Sequence, residues 1–155
     1  MANLLNGKNF NLFGLIIPHN GSDSFLLFPA RKQSLSYDFP DESGIDIDLT
    51  TPQFSAREFT LKLSMVANNR ADFWTKYNGL FTELSLPGTT TIYLDDADKS
   101  FLVYYKSMSD ITKLSVLNSS GQVGCSFDLV FGEADPRSNI DVVYLDADLN
   151  DYLIE

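Results

Sequence analysis

The stretch that decides the fold runs from Arg57 to Leu94, REFTLKLSMVANNRADFWTKYNGLFTELSLPGTTTIYL. Its first part alternates, with Phe59, Leu61, Leu63 and Met65 on one side of an extended chain and Thr60, Lys62 and Ser64 on the other. That is the pattern of a β-strand with one buried and one wet face. Asn68 or Asn69 then offers a short side chain to the free amides of a first helical turn, and Asp72 places negative charge near the positive end of the helix dipole. Phe73, Tyr77, Leu80, Phe81 and Leu84 recur at helical spacing on a stripe roughly 120° wide, with Trp74 at its edge and Thr75, Lys76, Gly79, Thr82 and Glu83 opposite. These six large side chains are the expected structural core of a helix at about 69–85. Burying them at ~1.5–3 kcal/mol each contributes on the order of 10 kcal/mol, and Phe81→Ala is expected to cost about 3–5 kcal/mol. Pro87-Gly88 ends the helix, and Thr89 to Leu94 returns as a strand.

On either side of this unit the chain reads as strands and turns. Upstream, Phe10 to Ile17 and Phe25 to Phe28 are apolar runs separated by Pro18-His19-Asn20-Gly21, and Asn-Gly between apolar runs predicts a hairpin. Leu35, Tyr37 and Phe39 alternate with Ser36 and Asp38, and Ile45, Ile47 and Leu49 alternate with Asp46 and Asp48, so two more strands with one buried face are expected around the loop Pro40 to Gly44. Downstream, Thr89 to Leu94 turns through Asp95-Asp96-Ala97-Asp98-Lys99 into Phe101 to Lys106. Ile111 to Leu117 turns at Asn118-Ser119-Ser120-Gly121 into the longest alternation, Val123, Cys125, Phe127, Leu129 and Phe131. Both pairs predict antiparallel hairpins. One domain over residues 1–136 is expected, followed by an acidic extension over 137–155. From Glu133 onward seven acidic residues stand against Arg137 alone. Within this tail Val142, Val143, Tyr144 and Leu145 are too apolar for a free solvated segment, and are the expected contact with this subunit or a neighbour in an oligomer.

The totals bound the chemistry. A chain of 155 residues with 12 Phe and 7 Tyr can build one full hydrophobic core. The formal net charge of -10 disfavours binding to nucleic-acid phosphates or to an anionic membrane. No apolar run reaches membrane-spanning length, and Met1 to Asn11 lacks the basic start and apolar run of a secretory signal. A single cysteine, Cys125, allows no internal disulfide and lies in an apolar row as a buried thiol. A single histidine, His19, sits in a turn without a second histidine to share a metal. Gly-rich phosphate loops, the Gly-x-Ser-x-Gly elbow and paired histidines are all missing from the sequence. Asp146, Asp148 and Asn150 have the spacing that opens a calcium loop, but Asp151 stands where the turn glycine belongs. Asp95, Asp96 and Asp98 read as a solvated hairpin tip. The expectation is therefore no catalytic residues, no metal and no cofactor.

The Arg-led alternating strand Arg57-Glu58-Phe59-Thr60-Leu61, the helix from Trp74 to Leu84, the strand-turn-strand carrying Tyr104, and the closing strand ending Phe131-Gly132-Glu133-Ala134-Asp135-Pro136 occur in that order. Over about Ile45 to Pro136 this arrangement resembles the N-terminal ring-forming domain of siphophage distal tail proteins, which are related to phage tail-tube proteins. The resemblance implies an α+β, mainly β fold: an antiparallel β-sandwich or partial barrel, tail-tube-like, with one amphipathic helix packed on it. It implies a structural virion component of a phage or prophage tail rather than an enzyme. Its partners would be copies of itself in a homohexameric ring and other tail proteins, and it would be made in the bacterial cytoplasm before joining the virion tail. The second β domain of longer family members, with its role in attaching receptor-binding proteins, is not carried over. A tail-tube subunit is the alternative of the same class. A monomeric ligand- or carbohydrate-binding β-sandwich with a concave aromatic groove is the alternative of another class.

Overall fold

The computed structural model describes residues 2–118 and 120–140, together with the backbone of Val143–Asp146 and Asp151–Ile154. In chain order its elements are β1 (Leu4–Leu5), β2 (Lys8–Asn9), β3 (Leu15–Ile16), β4 (Ser36–Tyr37), β5 (Asp46–Ile47), β6 (Glu58–Ala67), α1 (Arg70–Leu84), β7 (Thr90–Leu94), β8 (Lys99–Lys113), β9 (Val123–Gly132), β10 (Val143–Asp146) and β11 (Asp151–Ile154). Single 3-10 turns lie at Phe10–Phe13, Asp23–Leu26 and Pro136–Ser138. Seven strands form one antiparallel sheet in the order β2-β1-β7-β8-β9-β6-β3, curled into a half-barrel. The fold is α+β and mainly β, with one helix against the sheet.

The sheet is organised by β6 and β9, which pair along their whole lengths from Glu58↔Gly132 to Ala67↔Val123. Directly opposed residues of an antiparallel pair share a face, so Phe59 meets Phe131, Leu61 meets Leu129, Leu63 meets Phe127 and Met65 meets Cys125. All eight are at most 2% exposed. Ile92 and Leu94 of β7 and Phe101 and Val103 of β8 extend the same buried face. Phe25, from the 3-10 turn Asp23–Leu26, lies flat on Phe59 with ring centroids 4.6 Å apart and meets Phe101 edge-on at 5.0 Å. On the outer face Tyr104, opposite Gly132, lays its ring where a side chain at that glycine would stand.

Residues 14–24 depart from the expected hairpin at Asn20-Gly21. Their backbone runs beside β6: the amide of Val66 donates to the Gly14 carbonyl, that of Lys62 to the Gly21 carbonyl, and that of Thr60 to Ser24 Oγ, which donates back to the Thr60 carbonyl. An exposed sheet edge is open to pairing with other chains, and this irregular strip covers most of it. Gly14 makes the approach possible, because its φ is +63° and a Cβ there would stand 2.3 Å from the Val66 carbonyl oxygen. The N-terminal hairpin forms instead at Asn6-Gly7, where both residues have positive φ, as a two-residue primed turn requires. Downstream, the segments Phe101–Lys106 and 111–113 belong to one long strand, β8. Irregularities in its pairing with β9 between Tyr105 and Ser107 and between Ser109 and Thr112, with Asp110 at φ 55°, absorb what the sequence presents as a break. The acidic tip between β7 and β8 is ordered by Asp98 at φ 47°, which accepts from the Tyr93 hydroxyl and pushes the phenol pKa up to about 12.

Helix α1 is capped by Asn69, whose side chain accepts from the Asp72 amide, while the Asp72 carboxylate accepts from the Asn68 amide. Phe73, Leu80 and Leu84 are buried and Tyr77 is half-buried against the core. Phe81 and Trp74 are not core residues: they are 58% and 45% exposed. The reason is rotation about the helix axis. Trp74 and Phe81 flank the stripe roughly 80–100° round from Phe73 on one side, and Lys76 and Glu83 flank it by a similar angle on the other. The N-terminal segment covers the second flank, where Phe13 faces Gly79, Glu83 is buried, and the Glu83 carboxylate accepts from Lys8 and Asn6. The apolar flank is left at the surface, where Phe81 meets the Tyr105 ring at a right angle with centroids 6.5 Å apart.

At the end of the β6–β9 ladder lies a buried ion pair. Arg57 donates from Nε and Nη2 to the two carboxylate oxygens of Glu133, and its side chain is 6% exposed against 0% for Glu133. The guanidinium also lies over the Phe59 ring at 4.7 Å. Burial pushes the Glu133 carboxyl pKa up, but hydrogen bonds from Arg57 and Asn139 and the charge of Arg57 outweigh it, so the carboxyl ionises below the usual range.

Two outcomes follow for stability. Leu80→Ala should cost about 2–5 kcal/mol, whereas Phe81→Ala should stay within about 1 kcal/mol, as measured by denaturant unfolding. Equal losses would place both residues in the core. Because the folded-state pKa of Glu133 is lowered, its contribution is fully present above the ordinary glutamate value of about 4.3 and is lost as pH falls through the lower folded value. Glu133→Gln should therefore flatten the fall of melting temperature below about pH 4. An unchanged slope in that window would show that the pair does not titrate with folding.

Candidate functional site

Between Leu27 and Arg57 the chain leaves the body as a long ribbon. Its base is a short ladder: Ser55 donates to the Ala30 carbonyl, Lys32 donates to the Gln53 carbonyl, and Arg31 bridges Phe54. Further out β4 and β5 pair with Ser36 opposite Ile47 and Tyr37 opposite Asp46, and Asp48 donates its amide to the Leu35 carbonyl. The tip is Pro40 to Gly44, with Gly44 at φ 78°. Past the inner end of β5, toward the base, the hydroxyl and amide of Thr50 donate to the Asp48 carboxylate and hold its pKa below the usual range.

The register gives the ribbon two different apolar faces. Leu35, Tyr37 and Phe39 share one face with Asp46 and Asp48, and the Tyr37 and Phe39 rings stack at 6.1 Å. Ile45, Ile47 and Leu49 share the other with Ser36 and Asp38. Every one of these six apolar residues is exposed, and Phe28 at the root is 90% exposed. Neither face is buried, which corrects the expectation that both strands turn one face to the core. An isolated two-stranded ribbon is marginal in water, and apolar surface of this extent marks an interaction site. A signal was present in the sequence: acids at Asp38, Asp41, Glu42, Asp46 and Asp48, with Pro29, Pro40 and Pro52 among the strands, suit an excursion better than a central sheet.

The other expected positions are dispersed. His19 lines an open depression of about 310 Å³ with Asn3, Ile17, Asp95 and Asp96. Cys125 lies in the core opposite Met65 on the neighbouring strand, and burial pushes its thiol pKa up. Among the described residues no group of three or more His, Cys, Asp or Glu side chains is placed to hold a metal ion. No helix of the described residues is long and apolar enough to cross a membrane. Trp74, Phe81 and Leu86 leave a second exposed apolar area along and just beyond the helix. Of the tail segment, Val142 lies outside the described residues. Val143, Tyr144 and Leu145 are described only as backbone of β10, antiparallel to β11. Asp148 and Asn150 of the calcium-like spacing also lie outside the described residues, and Asp146 and Asp151 are described as backbone alone.

No protein-family model and no curated protein matches this sequence. Among solved structures the fold is similar to the crystal structure of the phage SPP1 Dit (gp 19.1) protein, described as a paradigm of the hub adsorption apparatus in phages infecting Gram-positive hosts. The TM-score is 0.60 at 14% sequence identity, over 92% of this chain and 53% of that one. This chain thus spans about half the length of the Dit chain it matches, and shares with it the fold of a phage distal tail protein.

Proposed function

We propose that this protein is a structural component of a phage or prophage tail, and within the tail a distal-tail subunit that closes into a homohexameric ring between the tail tube and the host-recognition hub. On this reading it acts with copies of itself and with other tail proteins, catalyses nothing, and passes from the bacterial cytoplasm into the virion tail. The observation that carries the proposal is the ribbon between Leu27 and Arg57. It projects three apolar residues on each face from a body whose buried core includes none of them. A monomer gains nothing from holding that surface in water, whereas subunits in a closed ring can cover it on every copy. The similarity in fold to a distal tail protein supports the same reading. The formal charge of -10 fits a ring through which DNA passes without being held.

Native mass spectrometry and negative-stain microscopy should show closed sixfold rings. A chain that remains monomeric at about 100 μM, where even a weak specific interface would populate complexes, overturns the ring. Tyr37→Lys with Ile47→Lys, one change on each face, should lower the ring population at least about tenfold while leaving folding stability within about 1 kcal/mol. Rings formed as readily by this variant would move the subunit contact elsewhere.

A further inference from the structure

Glu133 joins two segments that leave the sheet, the ribbon and the chain after β9. On one side its carboxylate receives Arg57, whose Nη1 donates to the Leu27 carbonyl at 2.7 Å. Leu27 and Arg57 are the two roots of the ribbon, so one guanidinium ties both to the end of β9. On the other side Glu133 Oε2 accepts from Asn139 Nδ2 at 2.8 Å. The same Asn139 carboxamide takes the free backbone groups of Leu102 in β8, accepting from its amide at 2.7 Å and donating to its carbonyl at 2.9 Å. Since β8 and β9 end their pairing at Tyr104↔Gly132, Asn139 acts as one further rung of that ladder, supplied by a side chain. Asn139 is 2% exposed and lies near the start of the acidic C-terminal segment.

A buried ion pair repays its desolvation only when its remaining hydrogen-bonding positions are also filled, and well-packed apolar residues often hold a core equally well. Here the filled positions lie at the ribbon root and the C-terminal segment, so both segments share one carboxylate. Leu27 is drawn in when Arg57 is held by Glu133, and Glu133 is held in part by Asn139. We propose that Arg57, Glu133 and Asn139 form a positioning lock that couples the C-terminal segment to the ribbon: displacement of Asn139 loosens Glu133 and Arg57, and with them the ribbon root. Where the ribbon is the subunit contact, a step that rests on the ring reading above, a partner drawing on the C-terminal segment would change how the ribbon is presented to a neighbouring copy.

The test is residue-resolved amide exchange on the full chain, at a concentration where native mass spectrometry shows one species. In Asn139→Ala the Leu102 amide should lose protection directly, and the ribbon-base amides of Lys32 and Ser55 should exchange about threefold faster or more through the lock. In Arg57→Met with Glu133→Leu, which replaces the ion pair by apolar volume and spares the fold an unpaired buried charge, the base amides should already exchange faster. Adding Asn139→Ala to that background should change Leu102 alone. The proposal is overturned if Asn139→Ala affects only Leu102, or if its effect on the ribbon base persists without the ion pair. Should Asn139→Ala fail to fold, the Arg57→Met, Glu133→Leu variant decides, and an unchanged ribbon base there rejects the lock. A wild-type chain that shows coupled exchange yet never forms rings would reject the ring and leave the lock standing.

Discussion

The ten-residue pairing of β6 with β9 is the constraint on which the rest of this protein depends. It joins segments far apart in sequence, so it must overcome a large loop-closure entropy before it is rewarded. The reward is a double row of large side chains on one face. Every other part of the body uses that row: α1 lies over it, Phe25 stacks on its Phe59, and β8 adds to it along the β9 edge. At its end the ladder places Arg57 and Glu133 side by side, where a charge pair can be buried because each donor and acceptor has a partner.

The outer strands show how the same molecule limits pairing where it is unwanted. Along β6 the irregular strip 14–24 occupies most of the free edge, and along β8 the irregularities around Lys106 and Asp110 disturb the long strand where β7 no longer accompanies it. Against that background the ribbon stands out by composition and by register. It keeps both apolar faces in water, and acidic side chains border each row. The β6 edge is thus covered while the ribbon's apolar faces are left open, the kind of surface that suits contact with another chain.

The helix illustrates how far periodicity carries. Phe73, Leu80 and Leu84 are buried, and the cap at Asn69 and the stop before Pro87 lie where local chemistry places them. Helical spacing identifies the stripe's centre but leaves its two flanks equivalent. The decision between Phe81 and Glu83 came from the N-terminal segment, which brings Lys8 and Asn6 to Glu83. A carboxylate with two partners and a lysine charge can be buried, and the opposite flank, with no covering segment among the described residues, keeps its aromatic residues exposed.

What the amino-acid sequence determined by itself is therefore local: the alternation that makes β6 and β9 strands, the cap and stop that bound α1, and the acidity that disfavours phosphate binding. The resemblance over about Ile45 to Pro136 carried the mainly β architecture as well. Tertiary structure alone decided which strands alternate against the core and which against water. Leu35, Tyr37 and Phe39 follow the same period-two rule as Phe59, Leu61 and Leu63, because the pleat imposes it on any extended chain. The distant partner differs: β9 and the helix complete the face of β6, while among the described residues β4 and β5 pair with each other, in a register that divides their apolar residues between two sides.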